Sequence, residues 1–127
     1  MSALTELARR FADVSGLDVR RRFAAELPPL APEAELAVYR VAQESLTNVA
    51  RHAGATAVDV ELAGGGASVT LRIADDGRGL DGGEPRDGHG GLRGMRERAL
   101  LVGGALAITP GRAGGVDVRL EVPAEMA

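Results

Sequence analysis

Residues 58–73 read VDVELAGGGASVTLRI, and this stretch decides the fold class. Apolar residues occupy every second position in 58–62 and again in 69–73, with glycines at 64–66 between the two runs. A period of two is typical of β-strands that bury one face, and the glycines allow a tight turn. The stretch therefore predicts an antiparallel hairpin whose apolar face needs a second layer to cover it.

Helical periodicity on both sides of the hairpin predicts helices that can form this second layer. Upstream, residues 2–14 carry apolar side chains at helical spacing. A second helix begins near Pro32 and runs to about His52, where Gly54 is a suitable C-cap. Downstream, residues 93–102 have the pattern of a third helix.

Three further segments alternate like strands, at 18–23, 106–108 and 116–122, and the first of them has the character of a short edge strand. Residues 75–91 are glycine-rich and acidic, as in a loop. We therefore predict an α+β fold, a two-layer α/β sandwich with helices on one face of a mixed, mostly antiparallel sheet. At 127 residues with no internal repeat, we expect one domain over residues 1–127.

The composition excludes several kinds of chemistry. All 15 basic residues are arginine, so a Walker A loop, a eukaryotic-type protein kinase and a Schiff-base mechanism each lack their lysine. The chain also has no cysteine, which excludes disulfides, thiolate zinc sites and cysteine nucleophiles.

Charge and hydropathy point to a soluble protein that does not bind nucleic acid. The net charge is −3, and two Phe and one Tyr are the only aromatic residues available for stacking on bases. No apolar run is long enough to span a membrane, and no leader segment opens the chain. We expect a cytoplasmic domain, or a soluble piece of a longer protein, without direct membrane contact.

Residues 43–54, QESLTNVARHAG, place unusual polar side chains in the middle of the second helix. At 100° per residue, Glu44, Asn48 and Arg51 share the face opposite a predicted core stripe about 80° wide. That stripe consists of Tyr39, Ala42, Leu46, Val49 and Ala53. The polar face is either solvated, as in most amphipathic helices, or the wall of a binding site.

Two later segments carry similar chemistry. In DDGRGL, residues 75–80, a carboxylate ends a buried strand and glycines follow, so backbone can approach a flat ligand closely. In GHGGLRGMRERA, residues 88–99, glycines lead into a helix whose free N–H groups favour phosphate oxygens. Each segment alone is weak evidence, since an Asp-Gly pair is usually only a turn.

Together, QESLTNVARHAG, DDGRGL and GLRGMRERA resemble the N, G1 and G2 boxes of the GHKL ATP-binding superfamily. The residues of these motifs are similar to those of the catalytic ATP-binding (HATPase_c) domain of two-component sensor histidine kinases, in the NarL-partner, DesK-like subgroup. The resemblance covers roughly residues 3–123. It implies a protein-histidine kinase domain that binds ATP and Mg²⁺.

The resemblance also implies roles for individual residues. Asn48 would ligate Mg²⁺, and Glu44 would polarise the attacking group or hold a metal-bound water. Arg51 would contact phosphate and His52 would line the nucleotide pocket. Asp75 would accept a hydrogen bond from the adenine amine. The remaining nucleotide contacts would be Gly77, Gly79, Gly90, Gly91, Leu92, Arg93, Gly94 and Met95.

Three departures from the family pattern accompany the resemblance. The G2 box has one extra residue, so either Gly88 or His89 takes the place of its first glycine. Val116 stands where many members have a threonine near the adenine aspartate. The helical dimerisation domain with the phosphoacceptor histidine is absent, since neither His52 nor His89 has the sequence context of an acceptor.

The implied partners are the histidine-containing dimerisation domain of the parent kinase and a downstream response regulator, with no nucleic acid. The parent kinase itself is either soluble or anchored in a membrane. Two alternatives share the boxes: an anti-sigma-factor-type serine kinase and a non-catalytic ATP-binding regulatory module. The R-H-A and G-M-R-E-R motifs favour the histidine kinase.

Overall fold

The computed structural model describes residues 2–52, 54–77, 91–111 and 114–125. In chain order the elements are α1 (Ser2–Ser15), β1 (Asp18–Phe23), α2 (Pro32–His52), β2 (Ala57–Gly65), β3 (Ser68–Asp75), α3 (Gly91–Leu101), β4 (Ala105–Pro110) and β5 (Val116–Pro123). Every predicted helix and strand is present, with ends displaced by a few residues. Most of the predicted loop over 75–91 lies outside the described residues, and α3 already begins at Gly91.

The five strands form one sheet in the order β1-β2-β3-β5-β4. β1 runs parallel to β2, while the other neighbouring pairs are antiparallel. A parallel pair needs a crossover connection, and α2 lies in that connection. The predicted hairpin is confirmed: Val60 lies opposite Ile73, and Gly66 turns the chain with a φ of 59°. The sheet is therefore mixed and mostly antiparallel, as predicted.

The core lies between one face of the sheet and the helices. Alternate residues of β3 are buried, as the period of two requires, and β2 and β5 contribute apolar residues to the same cluster. Leu4 of α1 and Met95 of α3 join that cluster from the helical layer. α2 packs against β3, β5 and both other helices, so it is the central element of that layer.

The buried face of α2 is wider than the sequence predicted. Tyr39 of the predicted stripe is only half-buried. Burial extends instead to Ala34, Ala37, Val38, Val41 and Ser45. The buried arc therefore spans about 180° of the helix, because neighbouring helices cover α2 as well as the sheet. Asn48 falls inside this arc and Glu44 at its border, so the face opposite the predicted stripe is not simply solvated: it is partly buried. Ala53, the last residue of that stripe, lies outside the described residues.

Candidate functional site

α2 connects the three segments that carry polar and glycine-rich sequence. Its own polar residues lie in its second half, and it contacts both β3, which ends at Asp75, and α3. Among the described residues, the predicted ligand-binding positions on α2, β3 and α3 thus belong to elements that α2 contacts directly.

The polar side chains of α2 have different exposures. Glu44 and Asn48 are half-buried, whereas Arg51 is exposed. Within the part of the chain that the structure describes, none of the three has a hydrogen-bond or ion-pair partner. Polar groups that lose contact with water are normally paired within the protein. A half-buried amide without such a partner, at Asn48, is therefore available to a ligand.

Asp75 is the last residue of β3, on the face of the sheet that the helices cover. Val58 lies opposite it across the β2–β3 pair. The residue is only 8% exposed, and its Oδ1 accepts a hydrogen bond of 2.8 Å from the backbone N–H of Gly77. Its Oδ2 has no partner among the described residues. One carboxylate oxygen is thus held in place, while the other remains free to accept a hydrogen bond.

Three glycines pack against residues 75–77, and we call Gly111, Gly114 and Gly115 the glycine cradle. A Cβ on Gly115 would lie 2.1 Å from the backbone oxygen of Asp75 and 2.5 Å from its Oδ1. Gly115 also has a φ of 75°, and Gly114 has a φ of 88°. Both conformations and the close approach require glycine, so the cradle allows backbone to pack directly on the carboxylate.

The Asp76 carboxylate accepts hydrogen bonds from Thr56 and Ala57 at the start of β2. Its Oδ1 accepts from the backbone N–H groups of Thr56 and Ala57, at 2.8 and 3.0 Å, and its Oδ2 accepts from the Thr56 hydroxyl at 2.6 Å. The Thr56 hydroxyl, followed by these backbone N–H groups, lowers the pKa of Asp76 to about 2. Asp76 is therefore a carboxylate at any physiological pH.

α3 contacts α2 through a buried polar pair. The Ser45 hydroxyl donates to the sulfur of Met95 at 3.5 Å, and both residues are about 2% exposed. Arg93 is exposed and its guanidinium lies 3.6 Å from Glu97 on the same helix. A Cβ on Gly94 would meet nothing within 4 Å, so that position has open space beside it.

Several predicted site residues lie outside the described residues. These are Gly79 and Gly90, together with Gly88 and His89, whose register in the G2 box was ambiguous. The side chains of His52 and Leu92 are also outside, although the helix backbone at His52 and at Gly91 and Leu92 is described.

The described residues contain no group of three or more His, Cys, Asp or Glu side chains that could hold a metal ion. The described helices also include none with the length and apolar character needed to cross a membrane.

Sequence reasoning missed the residues that support Asp75. It gave no role to Asp76 or to the glycine cradle. One signal was present: PGRAGG, residues 110–115, holds more glycine than a connection between two antiparallel strands needs. The Thr56–Asp76 bonds had no such signal, because the partners are 20 residues apart.

Comparison with known proteins identifies a family pattern over most of the chain. The model of the histidine kinase-, DNA gyrase B- and HSP90-like ATPase family matches residues 33–126. Among solved structures, the ATP-binding domain of PrrB from Mycobacterium tuberculosis is similar, with a TM-score of 0.70 and 25% identity. That match covers 98% of this chain and 93% of the PrrB chain.

Two curated relatives are longer proteins. The sensor histidine kinase MctS of Rhizobium johnstonii is 36% identical, over 89% of this chain and 25% of its own length. The histidine-protein kinase/phosphatase DegS of Brevibacillus brevis is 29% identical, over 94% of this chain and 31% of its own length. The chain thus spans a third or less of these relatives.

Proposed function

The chain belongs to the family of histidine kinase-, DNA gyrase B- and HSP90-like ATPases, and from this premise we propose that it binds Mg–ATP and transfers the γ-phosphoryl group to a histidine on a separate helical domain. Its relatives are sensor histidine kinases, so it is an ATP-binding domain of that kind. The free Oδ2 of Asp75, held beside the glycine cradle, is the observation that carries the proposal.

The Asp75 carboxylate suits adenine. The exocyclic amine of adenine is a donor, and a carboxylate oxygen without another partner is an acceptor of the kind it needs. Guanine has a carbonyl oxygen at the same ring position, which a carboxylate repels. Gly115 packs directly on the Asp75 backbone and carboxylate, so the carboxylate is held in place for a base that approaches its Oδ2.

The second half of α2 suits the phosphate end of the nucleotide. Mg²⁺ prefers hard oxygen ligands and keeps several waters, so the Asn48 amide oxygen, with Glu44 nearby on the helix, is a sufficient protein contribution. When bound, Mg²⁺ neutralises charge on the phosphates. Glu44 alone would repel a phosphate oxygen 4 Å away by about 4 kcal/mol at an effective dielectric of 20. The exposed Arg51 guanidinium offsets this repulsion.

In the transfer step, a histidine nitrogen of the acceptor domain attacks the γ-phosphorus, the bond to the β–γ bridging oxygen breaks, and ADP leaves. Glu44 polarises the attacking imidazole from its place on α2. In this proposal residues 1–127 act as one catalytic domain, and the phosphoryl group passes on to a response regulator. The names of MctS and DegS as histidine kinases support this role.

The test is incubation of the chain with γ-labelled ATP, Mg²⁺ and the helical acceptor domain from the same parent gene. We expect label on the acceptor that is acid-labile and base-stable, as for phosphohistidine. Base-labile, acid-stable label would instead indicate a serine kinase. ATP binding without any transfer would indicate a non-catalytic module, and absence of ATP binding would contradict the whole proposal.

Glu44→Gln sharpens this experiment. Because Glu44 acts on the attacking group, its loss should reduce transfer much more than ATP affinity. Asp13→Asn is the matched control, since Asp13 is an exposed helical carboxylate on α1 whose one ion-pair partner in the described part of the chain is Arg9. Equal losses of binding and transfer in Glu44→Gln would assign Glu44 a structural role.

A further inference from the structure

The Asp76 carboxylate has a different role from the Asp75 carboxylate. Asp76 is the first residue after β3, and its side chain bonds to the start of β2, not to Gly77 as that of Asp75 does. Its two oxygens take three hydrogen bonds from Thr56 and Ala57, and its own N–H donates to the Ala57 oxygen at 3.3 Å. Four hydrogen bonds therefore tie this one residue to the start of β2.

These bonds determine where Asp75 and Gly77 lie. Asp76 separates the two, and the Gly77 N–H is the described donor to the Asp75 carboxylate. On the opposite side, a Cβ on Gly114 would lie 3.1 Å from the Gly77 oxygen, so the glycine cradle is in close contact with the same turn. The turn is held between β2, through Asp76, and the cradle, through Gly77.

We propose that Asp76 is a positioning residue for nucleotide recognition: it fixes the turn so that Asp75 Oδ2 points at the adenine amine, and it thereby determines selectivity for adenine over guanine. The inference rests on the proposed function. Asp76 itself touches no nucleotide. Without it, the turn would have to be ordered at the moment of binding, which reduces affinity by about three- to tenfold.

The chemistry of the three donors allows a conservative replacement. An asparagine oxygen can still accept from the Thr56 and Ala57 N–H groups, and its amide can donate to the Thr56 hydroxyl, which also accepts. Asp76→Asn should therefore keep the turn in place, whereas Asp76→Ala should release it. A requirement for charge as such would make both variants equally weak.

The experiment compares Asp76→Ala, Asp76→Asn and the control Asp59→Ala, whose carboxylate lies on β2 and, among the described residues, pairs only with Arg20. Dissociation constants for Mg–ATP and Mg–GTP are measured at temperatures well below each melting midpoint. We expect Asp76→Ala to lose about three- to tenfold in ATP affinity, with a smaller loss for GTP. Asp76→Asn and Asp59→Ala should stay close to the parent chain.

The outcomes separate the two proposals. If the parent chain does not bind ATP, the proposed function fails. If it binds ATP and Asp76→Ala has an unchanged ATP:GTP ratio, only the positioning role is overturned, because a merely structural carboxylate would change stability and not selectivity. Should Asp76→Ala fail to fold, Thr56→Val decides, since it removes only the 2.6 Å hydroxyl bond. An unchanged ratio in that variant overturns the inference.

Discussion

At the scale of single residues, the candidate site depends on where side chains are missing as much as on where they are present. Gly115 packs so closely on Asp75 that even a methyl group would collide with the aspartate backbone. In that packing Oδ1 is bonded to Gly77, and Oδ2 has no partner within the described residues. Steric exclusion and one hydrogen bond together orient the carboxylate.

Gly115→Ala should therefore damage both stability and nucleotide binding. Gly16→Ala is a matched control, because Gly16 has nearly the same φ, 74° against 75°, but a Cβ there would meet nothing within 4 Å. The control should cost only the backbone strain, about 1–2 kcal/mol of unfolding free energy. The cost at Gly115 should be clearly larger, with a loss of ATP affinity. Urea unfolding and calorimetry measure the two effects, and equal costs would contradict the close packing.

Asp75→Asn should weaken adenine recognition. The amide that replaces the free carboxylate oxygen can present its own donors to the adenine amine, which leaves a buried donor unpaired. Such a loss costs about 1–3 kcal/mol, or roughly 5- to 150-fold in ATP affinity, and should narrow the preference for ATP over GTP. Competition binding with both nucleotides checks it. If the mutant binds ATP and GTP with the same affinities as the parent chain, the adenine contact lies elsewhere.

At the scale of elements, the uncovered face of the sheet is held by a charge network across three strands. Arg72 of β3 donates to Glu61 of β2 at 2.9 Å and to Asp117 of β5 at 3.0 Å, and Arg119 also bonds Asp117. Burial alone lowers the pKa of Arg72, but hydrogen bonds and charges from Asp117 and Glu61 raise it overall. The network stabilises the charged form of a partly buried arginine.

The two ion pairs of Arg72 should contribute unequally. The Asp117 side chain is 10% exposed and that of Glu61 is 29% exposed, so water and salt screen the Glu61 pair more strongly. Double-mutant cycles with Arg72→Met, Asp117→Asn and Glu61→Gln should give coupling energies of about 1.5–3 kcal/mol and about 0.2–1 kcal/mol respectively. Added salt should reduce the Glu61 coupling more. Equal couplings in urea unfolding would contradict this difference in burial.

At the scale of the whole molecule, the proposed activity requires two domains: this chain and a separate acceptor domain. Phosphoryl transfer depends mainly on holding donor and acceptor in line, and the proposal gives this chain only the donor half. Of its two histidines, His52 ends α2 and His89 belongs to the G2 segment. The resemblance assigns both to the nucleotide site, so the proposal gives neither of them the role of phosphoacceptor.

The chain alone should therefore bind Mg–ATP and yet label itself hardly at all with γ-labelled ATP. Adding the acceptor domain should restore transfer in trans, more weakly than in a tethered parent because the effective concentration is lower. Acid-labile label on each polypeptide is the measurement. Stoichiometric label on the chain by itself would make His52 or His89 an acceptor and would contradict the division of roles.

Local sequence by itself determined the elements and the family. Each strand and helix follows from apolar residues at a period of two or about 3.6, because burial against one neighbouring layer imposes those periods on any chain. Each of the three boxes is a contiguous stretch of sequence, so the family resemblance can be recognised without the fold. These features depend on neighbours a few residues apart, and sequence reasoning therefore reached them.

Only the tertiary structure decided how the site is supported. The buried face of α2 extends to Ala37 and Val41 because another helix covers it, and no helical wheel can report a neighbouring helix. The bonds from Asp76 to Thr56 and the approach of Gly115 to Asp75 join residues 20 and 40 positions apart. Such contacts arise from strand pairing and loop packing, which place distant residues together without leaving any local pattern in the sequence.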